Sequence, residues 1–172
     1  LVGTPDYGVT GCPAGYYRSY FVVRKDDQRS ELAAFKSTVF ALNGMDSQSG
    51  YAAARTHAAN QGFWFESWLE TGSHLLSAKA VAEGAADIAS IDAVSWHFIS
   101  RFEPFAAGLR ILDATEPTPG LPYITSLAHD ADVICGAVSK ALQVLDPVHR
   151  EELSLKGFVQ IPEAAYLAVP AP

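Results

Sequence analysis

Thr38-Val39-Phe40-Ala41-Leu42-Asn43-Gly44-Met45-Asp46-Ser47-Gln48-Ser49-Gly50-Tyr51-Ala52-Ala53-Ala54 changes character twice within a short span. Its apolar start predicts a buried strand over 38–42. The small polar residues that follow predict a turn, and the Ala-rich continuation predicts a helix over 51–60 that ends near Gly62. The same order returns downstream. A weaker strand is expected at 65–69, with Thr71-Gly72-Ser73 as its turn and a helix at 74–83 closed by Gly84 in the C′ position. A third strand at 88–91 leads through Asp92 into a helix at 94–102, and a fourth strand follows at 109–112. Upstream, Tyr20-Phe21-Val22-Val23 reads as one more apolar strand. Strands that alternate with helices of roughly ten residues predict an α/β fold built on a parallel or mostly parallel sheet with right-handed crossovers.

Working outward from this core, Glu116-Pro117-Thr118-Pro119-Gly120-Leu121-Pro122 fixes φ repeatedly and lacks a ladder of N–H donors, so it predicts a hinge crossing and not a strand. A short strand at 123–125 and an Ala-rich helix at 131–145 are expected beyond it, before a tail containing Pro162, Pro170 and Pro172. At the other end, Leu1-Val2-Gly3-Thr4-Pro5 has neither an initiator Met nor the basic and apolar regions of a signal peptide, and it reads as the middle of a longer protein.

The 172 residues, 49% hydrophobic and 18% charged, suffice for one domain or two small lobes. With 12 basic against 19 acidic residues the net charge is −7, and no stripe of Lys or Arg could follow a phosphate backbone, which argues against nucleic acid. No run reaches the roughly 20 apolar residues that a membrane span needs, so direct membrane insertion is not expected. Cys12 and Cys135 form no CxxC pair and are expected as two thiols. The histidines show no paired ligand spacing, and neither a metal nor a cofactor is expected.

In a parallel α/β sheet, ligands bind beyond the carboxyl ends of the strands, where the strand-to-helix turns converge. Ser47-Gln48-Ser49-Gly50 places two hydroxyls, a carboxamide and a glycine at a helix start, where unpaired N–H groups and the helix dipole favour an anion. An ordinary Ser N-cap would use the same residues. His74 opens the second helix and could donate to the same anion, although a lone histidine is often structural. Asp92 would repel an anion unless the ligand carries an ammonium or an acidic P–OH; otherwise it serves as the N-cap of the third helix. Tyr16 and Tyr17 could form an aromatic wall with phenol donors or pack internally. Ser49, His74 and Asp92 also supply, in that chain order, the three residue types of a hydrolase triad. However, a G-x-S-x-G elbow would need glycine at Ser47 and Tyr51.

Taken in order, Gly15-Tyr16-Tyr17-Arg18-Ser19, Asn43 through Ser47-Gln48-Ser49-Gly50-Tyr51, Thr71-Gly72-Ser73-His74, Ala86-Asp87-Ile88-Ala89-Ser90-Ile91-Asp92 and Pro119-Gly120-Leu121-Pro122 resemble the phosphate, phosphite and phosphonate substrate-binding proteins of ABC transporters, the PhnD-like family. The resemblance implies a type 2 periplasmic-binding-protein fold, in which two α/β lobes joined by a hinge close on a ligand. It assigns the anion-gripping turn to Ser47, Gln48, Ser49 and Gly50, the pocket histidine to His74, the pocket acid to Asp92 and an aromatic to Tyr16 or Tyr17. Gln48 departs from the usual threonine. The implied function is capture of a small anionic ligand, without catalysis, for an ABC transporter permease in a periplasmic or extracytoplasmic setting. A sensory module on the same fold and a serine hydrolase are the alternatives. The resemblance further implies that the N-terminal half of lobe one precedes Leu1. On that reading residues 1–25 close its first part and make the first hinge crossing, 26–114 form lobe two, and 115–172 hold the second crossing and the C-terminal part of lobe one.

Overall fold

Strands that are apolar without alternation need cover on both faces, so they belong in the middle of a sheet with helices on either side. A computed structural model, which describes residues 1–170, places them there. The strands in chain order are β1 (Thr4–Asp6), β2 (Tyr16–Tyr17), β3 (Ser19–Arg24), β4 (Val39–Leu42), β5 (Ser67–Glu70), β6 (Ile88–Asp92), β7 (Leu109–Ala114), β8 (Thr118–Pro119) and β9 (Gly157–Val159). The α-helices are α1 (Ala53–Asn60), α2 (His74–Ala82), α3 (Ala93–Phe102), α4 (Ala131–Val144), α5 (Pro147–Glu152) and α6 (Glu163–Leu167).

The chain divides into one unit made of Leu1–Tyr17 with Pro117–Val169 and another made of Arg18–Glu116. The second unit holds a five-stranded sheet in the order β5-β4-β6-β3-β7. β4 runs parallel to both β5 and β6, while β3 runs antiparallel to β6 and to β7. The sheet is therefore mostly parallel, with β3 as the reversed strand. Period-2 alternation sorts the strand residues onto two faces. Val22, Ala41, Ala89 and Ile91 join Ala78 and Val81 of α2 and Ile99 of α3 in one cluster. Phe21, Val23, Phe40, Leu42 and Ile88 join Phe35, Phe65, Tyr51 and Ala54 of α1 in the other, where the Phe40 and Phe65 rings stack at 4.3 Å. The alanine-rich face lets helices approach closely; the aromatic face fills a wider gap.

Several expectations change in detail. The run at 20–23 lies at the heart of the five-stranded sheet as β3, so the chain passes between units after Tyr17, ahead of residue 25. The fifth strand begins at Ser67, because Phe65 turns inward to the core while all of Ser67–Glu70 is exposed at the sheet edge. Trp68 is accordingly exposed. The Pro-rich segment does form a strand: Thr118–Pro119 pairs antiparallel with Tyr16–Tyr17, and the N–H of Gly120 donates to the Gly15 carbonyl at 2.8 Å. Two paired residues suffice because flanking N–H groups supply what proline cannot. The strand expected at 123–125 shrinks to a single bridge between Gly3 and Tyr123. In the tail, β9 pairs with β1, and α5 opens with Pro147 as its first residue behind the Asp146 cap.

Candidate functional site

Because β4, β5 and β6 are parallel, their carboxyl ends share one edge of the sheet, and the three turns that follow them meet there. Backbone bonds fasten the second turn to the first. The Thr71 N–H donates to the Leu42 carbonyl at 2.9 Å and the Gly72 N–H to that of Asn43 at 3.0 Å.

The first turn enters its helix through one π-helical turn, Gln48–Ala52, before α1 continues it. Single π turns of this kind recur at functional sites. Ser47 is the N-cap: its Oγ accepts from the Gly50 N–H at 3.0 Å, and its carbonyl accepts from Tyr51 and Ala52. Accepting that bond leaves the Ser47 hydroxyl hydrogen to donate, and a helix start is where backbone N–H groups lack intrahelical partners. Gly50 sits so close to Asn43 that a Cβ would fall 1.8 Å from its Oδ1, and the Asn43 backbone nitrogen would lie 3.3 Å away. Any side chain there would force the Asn43 carboxamide to move. The Ser49 carbonyl accepts from two buried hydroxyls, Ser19 Oγ and Ser90 Oγ, each at 2.8 Å. Ser19 and Ser90 alternate with Phe21 and Ile88 on the α1 face of the sheet, so two neighbouring strands hold the turn in place. Sequence reading did not assign them this role. The available signal was a hydroxyl at an inward, period-2 position of an otherwise apolar strand.

His74 starts α2 behind the Ser73 cap, whose Oγ accepts from the Leu76 N–H. Its Nε2 lies 2.9 Å from Ser49 Oγ and 3.3 Å from Asp92 Oδ2. Asp92 is the N-cap of α3: Oδ1 accepts from the Val94 and Ser95 N–H groups, both at 2.9 Å, and Oδ2 accepts from Ser95 Oγ. The capping reading of Asp92 holds, and the same side chain lies beside His74. Burial pushes the His74 imidazole below its ordinary 6.5. The Asp92 carboxylate and the Ser90 backbone push the other way and are outweighed. Nδ1 is buried without a hydrogen-bond partner among the described residues. His74 is therefore neutral at neutral pH.

The structure brings Ser47, Gln48, Ser49, Gly50, His74 and Asp92 together within the Arg18–Glu116 unit. Tyr16 and Tyr17 belong to the other unit, half-buried in β2 opposite Pro119 and Thr118. A hydroxyl, an imidazole and a carboxylate at one sheet edge beside a helix start can grip a compact oxyanion that also offers a hydrogen to the carboxylate. They are not arranged as a proton relay. The hydroxyl and the carboxylate meet the same ring nitrogen, whereas a relay needs the carboxylate on the opposite one.

Comparison with known proteins agrees with this architecture. PhnD1 from Prochlorococcus marinus, solved in complex with methylphosphonate, superposes with a TM-score of 0.74 at 16% identity, covering 96% of this chain and 66% of its own. A binding-protein component of an ABC phosphonate transporter from Pseudomonas aeruginosa gives 0.72 at 21% identity, covering 96% and 59%. A protein of Xanthomonas citri bound to chloride gives 0.68 at 18%, covering 98% and 66%. At such identities the likeness establishes the type 2 periplasmic-binding-protein fold, and the chain spans roughly three fifths to two thirds of these structures. No curated protein matches the sequence. Among the described residues no helix is long and apolar enough to cross a membrane. The family model for the periplasmic substrate-binding protein of phosphonate ABC transporters matches residues 5–166, and the chain belongs to that family.

Proposed function

We propose that the protein captures a small oxyanion of the phosphonate or phosphate class and presents it to an ABC transporter permease outside the cytoplasm, without chemical turnover. The observation that carries this reading is the convergence of Ser49 Oγ, His74 Nε2 and Asp92 Oδ2, within 2.9 and 3.3 Å of the shared imidazole, on a clamped helix start. Ser47, Gln48 and Ser49 with their backbone N–H groups hold the anionic head, at the place where Gly50 lets the backbone pack against Asn43. His74 adds a neutral donor, which avoids the desolvation cost of a second buried ion. Asp92 accepts from an ammonium or a P–OH and so selects protonated or amine-bearing ligands over a bare dianion. Two features weigh against the hydrolase alternative: no glycine-flanked elbow surrounds Ser49, and the triad geometry is absent.

Isothermal titration against phosphate, phosphite, methylphosphonate and 2-aminoethylphosphonate tests the proposal, with Asp92→Asn as the informative variant because asparagine keeps the α3 cap. Saturable binding is expected. The variant should lose affinity for the aminophosphonate by tenfold or more and gain affinity for the dianions. Heat flow at none of the four, with the circular dichroism of a folded protein, would contradict the proposal.

A further inference from the structure

Beside the anion-gripping residues lies a groove of about 580 Å³, large enough for a small organic molecule and far larger than a compact oxyanion needs. His74 and Ser95 line it together with Leu75, Phe98, Ile99 and Phe102. Ser95, Phe98, Ile99 and Phe102 follow i, i+3, i+4, i+7 spacing, so they form one face of α3 and extend the groove about 10 Å along that helix. Leu75 is 41% exposed and Phe102 is 63% exposed. The Phe98 and Phe102 rings stack nearly parallel, 6.3 Å apart, which presents a flat apolar wall. Glu103 stands on the lining as its acidic member.

On the reading that the helix start holds an oxyanion, we infer that the groove takes the organic substituent of that same ligand, which is a monophosphonate carrying a non-acidic alkyl or aryl group of several carbons. Continuity carries the assignment. His74, which meets Ser49 and Asp92 on the anion side, also lines the groove, and Ser95, whose hydroxyl donates to Asp92, lies one helical turn before Phe98. A phosphonate held at Ser49 therefore directs its P–C bond toward Leu75 and the α3 face. Glu103 disfavours a second acidic group on the substituent, which excludes bis-anionic ligands, while the apolar wall gives a bare phosphate nothing to bury.

Titration with methyl-, butyl- and phenylphosphonate tests this directly. A fully buried methylene raises affinity roughly fourfold, so in this open groove butylphosphonate is expected to bind at least tenfold more tightly than methylphosphonate. Phe102→Ser and Leu75→Ser, both at exposed positions, are each expected to reduce the butyl-to-methyl affinity ratio at least threefold. Equal or weaker binding of the butyl and phenyl compounds, with methylphosphonate still bound, would overturn the inference and leave the oxyanion reading intact. A gain that survives both variants would also overturn it, because the substituent would then lie elsewhere. Failure of all three phosphonates to bind would overturn the inference, and the oxyanion reading would fall with it only if phosphate and phosphite also fail to bind.

Discussion

Gly50 shows how much of this site rests on single atoms. A methyl group there would overlap the Asn43 carboxamide and crowd its backbone. Gly50→Ala is therefore expected to destabilise the protein by about 1–3 kcal/mol, measured by urea denaturation, and to weaken oxyanion binding by shifting the turn. Sequence reading singled out this glycine for its place at a helix start, but the neighbour that forbids a side chain became visible only in the structure. His74 has the second residue-scale consequence. Burial lowers its folded-state value, so the unfolded chain takes up the proton first as pH falls through 6.5. Its contribution to stability is complete above 6.5 and declines as pH drops from there toward the lowered folded value. His74→Gln should flatten this part of the profile, with a smaller loss of Tm between pH 7.5 and 5.5 than in the native protein. An equal loss in both would show that His74 does not titrate as its burial requires.

At the scale of elements, the Ser47–Gly50 turn is held by strands that contribute nothing to its sequence motif. Ser19 from β3 and Ser90 from β6 both donate to the Ser49 carbonyl, inside a face otherwise built from Phe21, Val23 and Ile88. Ser90→Ala leaves the carbonyl one donor and is expected to cost about 1 kcal/mol. The double change Ser19→Ala with Ser90→Ala leaves a buried carbonyl without partners and should cost more than the sum of the two single changes, measured as a double-mutant cycle in urea. Additive effects would mean that the two hydroxyls act independently of Ser49. The strand-turn-helix units that begin at β4 and β6 were legible because each has a continuous apolar run, polar punctuation and a capped helix start. The reversed direction of β3 was not, since an apolar strand reads alike in both directions. Nor was β8, where Pro117 and Pro119 signalled a break and flanking residues supplied the missing donors.

For the molecule as a whole, the division of labour follows from where the chain crosses between units. The Arg18–Glu116 unit contains the complete sheet, both hydrophobic clusters and the converging turns. Tyr16 and Tyr17 lie in the other unit, whose long helix α4 has no buried residue. Sequence spacing placed Ser47, Gln48, Ser49, Gly50, His74 and Asp92 at strand-to-helix turns, where the structure has them, because helix starts and parallel strands obey local rules. The crossing after Tyr17 was displaced in the sequence reading because β3 draws its partners, β6 and β7, from far along the chain. The central claim is that the oxyanion sits on the helix start formed by Ser47, Gln48, Ser49 and Gly50. The most direct test follows the backbone amide resonances of the 15N-labelled protein during titration with methylphosphonate. The expected result is saturable shifts concentrated at Gln48, Ser49 and Gly50, with accompanying change at His74 and Ser95. Saturable shifts confined to residues remote from these turns would contradict it.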